Sequence, residues 1–246
     1  MDARNARFAS AGRAELHVRG SNRLLAMLPA EERERLLSRM ERRSFKLRDP
    51  IFAADTPIAH VHFPLHGVAS LLIYMEDGNM VEVGTVGNEG MLGIPLLHGA
   101  QQSHSAAMFQ SRGETLVMRA ADFQAELSNS TAFRHSVQRY AQGFLSQTSQ
   151  SAACNRLHHL AQRMCRWILM MHDRVGEDRL DLTQEFIAAM LGVRRATVNL
   201  TAGVLQEAGL IVYQRGIVQV LDRAGLEDGA CECYEVVRKE FERLLC

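Results

Sequence analysis

Hydrophobic positions fall into three textures along the chain. After a stretch of little periodicity over residues 1–20, read as a loose lead-in, Leu24, Leu25 and Leu28 precede Pro29. The segment P-A-E-E-R-E-R-L-L-S-R-M then predicts a helix with proline in its first turn and acids near its N-terminus. From Ser44 to Met118 the apolar residues gather into short β-type runs: Phe45 to Leu47, Ile58 to Phe63, Val68 to Met75, Met80 to Val86, Ser105 to Phe109 and Thr115 to Met118. Asp77-Gly78-Asn79 separates two of them as a hairpin turn, with glycine where a positive φ is needed. Many short strands spaced by roughly ten residues predict an antiparallel jelly roll.

Helical spacing takes over after Arg119. A short helix to Leu127 is followed from about Ser130 by a long one, in which Phe133, Val137, Tyr140 and Phe144 are separated by four, three and four residues. That is a heptad seam, continued by Gln147, Ser151 and Cys154. An apolar seam without a long partner helix in its own domain calls for a second copy, hence a parallel homodimer across a two-fold axis. The competing expectation is that the same residues pack back onto the β-domain. A further helix from Arg156 to Asp173 carries Leu157, Leu160, Met164, Trp167, Ile168 and Met171 as a core stripe, and Val175-Gly176-Glu177-Asp178 forms a loop after it.

The stretch Thr183 to Leu210 organises the C-terminal third. Thr183 can cap a helix whose Phe186, Ile187, Met190 and Leu191 share a face, and Gly192 supplies the left-handed residue that ends it. A second helix turns Val198, Thr201, Ala202, Leu205 and Ala208 inward and Arg194, Arg195, Asn199 and Gln206 outward. Two short helices about a glycine turn, the second opening with arginines, have the form of a helix-turn-helix DNA reader. Gly203 inside that helix costs about 1 kcal/mol relative to alanine, which is explained either by close approach of another backbone or by drift. The runs I-V-Y-Q and I-V-Q-V-L-D then flank Arg215-Gly216 as a β-hairpin wing, and an amphipathic helix closes the chain with Tyr234, Val237, Phe241, Leu244 and Leu245.

Composition adds bounds. The 246 residues are 47% hydrophobic and 23% charged, ordinary globular values that suit two domains. The formal net charge is zero, so attraction for nucleic acid must be local, at arginines beside a helix N-terminus. Cysteines at 154, 165, 231, 233 and 246, an odd count confined to the C-terminal half, suit a reducing compartment. No apolar run approaches the roughly 20 residues of a membrane helix and no signal peptide is evident, so the expected location is cytoplasmic.

A β-roll, a long dimer helix, and a winged helix-turn-helix containing L-G-V-R-R-A-T-V-N followed by E-A-G-L-I resemble the Crp/Fnr family of bacterial transcription regulators over roughly residues 22–228. The resemblance implies an α+β fold. Its expected parts are an N-terminal antiparallel β-roll sensor (residues 22–127), a long dimerisation helix (128–155) and a C-terminal winged helix-turn-helix (156–246). It places residues matching Arg195 and Thr197 in the major groove and makes the long helix the dimer contact, here Phe133, Val137, Tyr140 and Phe144. Where family members bind cyclic AMP, a glutamate takes the ribose hydroxyl and an arginine the cyclic phosphate. The matching stretches are Asn88-Glu89-Gly90 and His104-Ser105-Ala106, so Glu89, His104 and Ser105 become the candidate effector pocket. A histidine in place of the bidentate arginine predicts no tight cyclic-nucleotide binding. Fnr-type clusters use cysteines near the N-terminus, and none precedes Cys154 here. The family's Ser-Arg-Glu is Arg194-Arg195-Ala196, and alanine cannot accept from cytosine, so a different operator is expected.

The expected function is therefore a non-enzymatic, sequence-specific regulator of transcription that binds double-stranded DNA as a homodimer, with RNA polymerase as a further partner and an unknown signal at the β-roll. Arg195 is assigned to guanine and Asn199 to adenine or a phosphate, while Gln184, Arg194 and Arg215 are assigned to phosphates. Two alternatives remain: a cyclic-nucleotide sensor, and a cupin-like metal-dependent enzyme using His60 and His62, which strand alternation puts on one face. No third ligand is singled out for those histidines, and no metal, haem or other cofactor is assigned. Cys231-x-Cys233 with Cys246 is read as a set of buried or idle thiols, because C-x-C lacks the two-residue spacer of common zinc knuckles.

Overall fold

The computed structural model describes residues 20–245, so the lead-in over residues 1–19 and Cys246 lie outside the described residues. Helices α1 (Arg23–Ala26) and α2 (Ala30–Leu37) come first. Asn22 caps α1 by accepting from the Leu25 amide at 3.2 Å, while its own amide donates to the carbonyls of Pro64 (3.0 Å) and Gly90 (2.8 Å). One buried side chain thus starts a helix and ties it to the β-domain.

The β-domain contains β1 (Glu41–Phe45), β2 (Pro50–Phe52), β3 (His60–His66), β4 (Ala69–Tyr74), β5 (Met80–Val86), β6 (Ala106–Phe109) and β7 (Gly113–Arg119). All pairings are antiparallel, in two sheets ordered β1-β7-β3 and β2-β6-β4-β5. The β4–β5 hairpin turns at Gly78 with φ of +82°, and the Asp77 carboxylate accepts from the Asn79 amide. The first strand lies earlier than its apolar signal: Glu41–Ser44 is polar and exposed, held by pairing with β7.

Helix α3 (Ala120–Asn129) leads to α4 (Thr131–Leu157), which starts where Ser130 accepts from the Phe133 amide at 3.0 Å. The seam expected to meet a second chain is covered by its own. Phe133, Val137 and Tyr140 have no exposure, and Phe133 meets Phe63 and Phe123 ring to ring. Phe144 is half-buried and packs over Gly84 of β5, where an added Cβ would lie 2.5 Å from its ring. The β-roll uses that apolar face to close its core, so Phe133, Val137 and Tyr140 leave no free surface for a second chain in this arrangement.

At His158 and His159 the backbone turns extended, and α5 (Leu160–Val175) starts there rather than at Arg156. Leu157 consequently ends α4 at 75% exposure instead of joining the core stripe. Gly176 ends α5 in the left-handed region. Next come β8 (Arg179–Asp181), α6 (Gln184–Leu191), α7 (Arg195–Glu207), β9 (Ile211–Gln214) and β10 (Ile217–Val220), the strands pairing in the order β8-β10-β9, and then α8 (Arg223–Gly229) and α9 (Cys233–Leu244).

Two main cores result. The first joins the inside of the β-roll to α4 and takes in Val237, Phe241 and Leu245 of the C-terminal helix, whose Tyr234 joins the second core. Gly143 permits the Phe241 contact, because a Cβ there would stand 2.9 Å from the Phe241 ring. The second core gathers α5, α6, α7 and the wing around Trp167, Ile168, Phe186 and Val198, and it also includes Val68 and Leu72. The four-stranded sheet therefore serves both cores.

Candidate nucleic-acid interface

The helix-turn-helix is built by local rules. Thr183 Oγ1 accepts from the Phe186 amide at 3.2 Å, and Gly192 at φ +63° turns the chain through the Val193 amide bonded to the Ala188 carbonyl. Val198, Ala202 and Leu205 are buried under α7 and Thr201 is half-buried, bonding back to the Thr197 carbonyl at 2.9 Å. Ala208, expected inside, caps the helix and is exposed.

Arg194, Arg195, Thr197 and Asn199 are all exposed. Arg195 Nε donates to Gln184 Oε1 at 3.2 Å, Gln184 Nε2 donates to Asn199 Oδ1 at 2.8 Å, and Arg195 Nη1 lies 2.7 Å from Glu185 Oε1. Three residues singled out in the sequence thus form one outward-facing polar group across the two helices. Glu185 is an addition: both members of its ion pair are more than half exposed, so water screens the pair and it yields readily to competition.

The wing sits beside this group. Arg215 (φ +50°) and Gly216 (φ +78°) make the two-residue turn, a pair of positive φ values that matches the twist of a tight hairpin. The Gly216 carbonyl accepts from the Leu182 amide at 2.7 Å, and the Tyr213 hydroxyl donates to the Leu182 carbonyl at 2.8 Å. Burial, with the Glu185 charge, pushes that phenol up to about 12, so it remains a donor at neutral pH. Arg215 is exposed at the tip, next to the start of α6.

Leu200 was not singled out in the sequence, yet it is 72% exposed, one turn beyond Ala196, and Val204 follows it outward. The available signal was their spacing, opposite the Val198–Ala202–Leu205 stripe. Gly203 meets nothing within 4 Å of an added Cβ, so no described part of this chain approaches it closely.

The candidate effector residues stand in different surroundings, Glu89 buried and His104 exposed. Glu89 is buried, accepts from the Gly87 amide and pairs with Arg174 of α5: Nη2 and Nε reach one carboxylate oxygen at 2.7 and 3.0 Å. Burial opposes the Arg174 charge, but Glu89 outweighs it and the guanidinium pKa is raised. A cavity of about 150 Å³ beside the pair is lined by residues that include Glu89, Asp173, Arg174, Arg223, Tyr234 and Phe241, and by neither His104 nor Ser105. His104 stands 81% exposed, 3.6 Å from Asp55, and Ser105 bonds to Ser103. The difference in burial has a physical consequence. A buried carboxylate requires a cation, and α5 supplies one where the exposed loop bearing His104 does not.

His60 and His62 share the expected strand face, with Val61 and Phe63 on the other. Burial and the neighbouring His60 lower the His62 pKa to about 4, so its ring is neutral at pH 7. A second polar contact joins the β-roll to α5: Glu82 accepts from Trp167 Nε1 at 3.0 Å and also from Ser70 and Gln110.

A family model of the cyclic nucleotide-binding domain matches residues 42–130, and one of the Crp-like helix-turn-helix domain matches residues 162–228. The chain belongs to the Crp/Fnr family. Solved Crp/Fnr structures share its fold. A putative Crp/Fnr-family transcriptional regulator from Eubacterium rectale is 16% identical with a TM-score of 0.66, covering 83% of this chain and 96% of its own. A Crp/Fnr-family regulator from Thermus thermophilus is 23% identical with a TM-score of 0.63, covering 77% and 98%. The c-di-GMP-responsive global regulator CLP of Xanthomonas campestris is 16% identical with a TM-score of 0.64, covering 79% and 100%. A comparison with curated proteins finds no match. This Crp/Fnr member is a DNA-binding transcription regulator. Among its described residues no helix is long and apolar enough to cross a membrane.

Proposed function

We propose that the protein is a homodimer that reads an imperfect palindrome, its half-sites about one helical turn or roughly 34 Å apart. The observation that carries this is the outward-facing Gln184–Arg195–Asn199 group at the mouth of the helix-turn-helix, beside the wing arginine. Arg195 leaves Glu185 to make a bidentate contact with guanine N7 and O6, and Asn199 takes adenine. Ala196 and Leu200 lie where they can cover thymine methyl groups. Arg194, Gln184 and Arg215 hold phosphates and set register, and Thr197 enters the major groove beside Arg195.

The dimer forms through the side of α4 turned away from both the β-roll and α9. Gln138, Gln142, Leu145, Ser149, Ala152 and Arg156 repeat there at steps of four and three, and all are exposed. Leu145, at 59% exposure, is the main apolar contact. The effector reaches the helix-turn-helix by changing how α5 docks on the β-roll. Because the Glu89 carboxylate is already held by Arg174, cyclic nucleotides bind weakly at this site. The relatives with the same two domains are regulators, so no enzymatic activity is assigned, and a chromosomal target places the protein where DNA and RNA polymerase are.

The test is selection of bound duplexes from a random pool, repeated with Arg195→Ala. A palindromic consensus that loses its guanine preference in the variant is expected. Equal discrimination between operator and scrambled DNA by both proteins removes Arg195 from base readout.

A further inference from the structure

Side chains with no part in DNA reading converge where α4 gives way to α5. Cys154 lies in the last turn of α4 and His158 four residues on, so both project from the same side. Cys231 and Cys233 sit at the turn from α8 into α9. Packing of α9 on α4 brings the pairs together: the four ligand atoms all lie within 4.8 Å of one another. Cys154 Sγ is 3.5 Å from Cys231 Sγ, and Cys233 Sγ is 3.5 Å from His158 Nδ1. The three thiols form a buried cluster of their own, separate from both large cores.

The distances suit one tetrahedral ion. With metal–sulfur bonds of about 2.3 Å, two sulfurs at tetrahedral corners stand about 3.8 Å apart, so loading requires shifts of no more than about an ångström in any ligand pair. Thiolate and imidazole ligands exclude the hard cations and match zinc. An iron–sulfur cluster would interpose its own sulfides between the thiolates and hold them wider apart.

The surroundings are those of a prepared site. Glu232 Oε1 lies 3.3 Å from His158 Nε2, and Nδ1 of the same ring faces Cys233. Gln150 Nε2 donates to Cys233 Sγ at 3.1 Å. Arg166, buried, donates to Ser151 at 2.8 Å while its Nε has no partner, and it acts electrostatically on Cys154. Three thiolates with a divalent ion carry one net negative charge, which that guanidinium offsets.

We propose that Cys154, His158, Cys231 and Cys233 form a tetrahedral site for one zinc ion that clamps the C-terminal helix to the end of α4. The C-x-C spacing supplies only half of the ligands, and the other half arrives from 77 residues away in sequence. The clamp stands beside the point at which the chain passes into the helix-turn-helix unit, so its occupancy fixes α9 and the α4–α5 break together.

The full chain, expressed with zinc in the medium and purified reduced without chelator, is expected to hold one zinc per chain by elemental analysis. The double variant Cys231→Ser/Cys233→Ser should lose about tenfold or more of it, while Cys165→Ala, in the other core, keeps it. A second measurement does not depend on variants: reduced, metal-free wild-type protein titrated with Co²⁺ should develop a thiolate-to-cobalt charge-transfer band that saturates at one equivalent and is displaced by zinc. Zinc below about a tenth of an equivalent with no such band overturns the proposal. So does a coloured iron protein containing acid-labile sulfide.

Discussion

Replacing Arg174 with methionine tests how the two halves of the molecule are held together. Arg174 spends its donors on Glu89 (3.0 and 2.7 Å), Gln147 (3.1 Å) and the Met170 carbonyl (3.0 Å), and the pair's side chains are only 9% and 7% exposed. Methionine keeps most of the length and leaves the Glu89 carboxylate with the Gly87 amide as its remaining donor. Losing one partner of a buried pair costs about 3–5 kcal/mol, against about 0.2–1 kcal/mol for an exposed pair. The enclosure puts this pair in the first class. Urea unfolding followed by the single tryptophan, Trp167, measures the loss on the element that carries Arg174. The double variant Glu89→Gln/Arg174→Met, with neither charge and the Gly87 contact kept, should recover at least half of it. A loss below about 1 kcal/mol for Arg174→Met, or a double variant less stable than the single one, would show that water already solvates the pair.

Three further outcomes are expected. Gly90→Ala places a Cβ 2.0–2.4 Å from the ring and hydroxyl of Tyr140, so it should lower stability by roughly 1–3 kcal/mol in the same assay. Leu145→Asp should shift the protein toward monomer in sedimentation, whereas Val137→Ala, whose side chain is wholly buried, should lower stability with assembly unchanged. Burial pushes the Glu82 carboxyl above its ordinary 4.5, even though bonds from Ser70 and Trp167 and the charges of Arg174 and Arg166 pull it down. The fold therefore favours its protonated form. That contribution is fully present below 4.5 and is lost as pH rises through the raised value. The stability difference, wild type minus Glu82→Gln, should fall with pH across that window, and a rising difference contradicts the assignment.

What the sequence made legible was local. Thr183, Gly192 and the Val198–Ala202–Leu205 stripe act within a few residues of one another, and the helix-turn-helix follows them closely. The heptad of α4 was equally plain, but periodicity reveals that an apolar face exists, not what covers it. The covers, Phe63 from β3 and Phe241 from α9, lie far away along the chain. Arg174 carried no signal as the partner of Glu89 across 85 residues. The strands β2 and β8, of three residues each, are too short for alternation to register.

Val68 and Leu72 give the shared sheet a further consequence. Val68 leads into β4 and Leu72 lies within it; both have no exposure and pack with the helix-turn-helix unit. Baring two such side chains costs about 1.5–3 kcal/mol each, roughly 3–6 kcal/mol together before any polar contact is broken. Without a signal, the conformer in which that unit has left the sheet is therefore populated below about 1%. A ligand that makes it the majority must bind it more tightly than the docked form by at least about a hundredfold. This face of the sheet would thus set a threshold for a signal of the proposed kind, in the discrimination its ligand must possess.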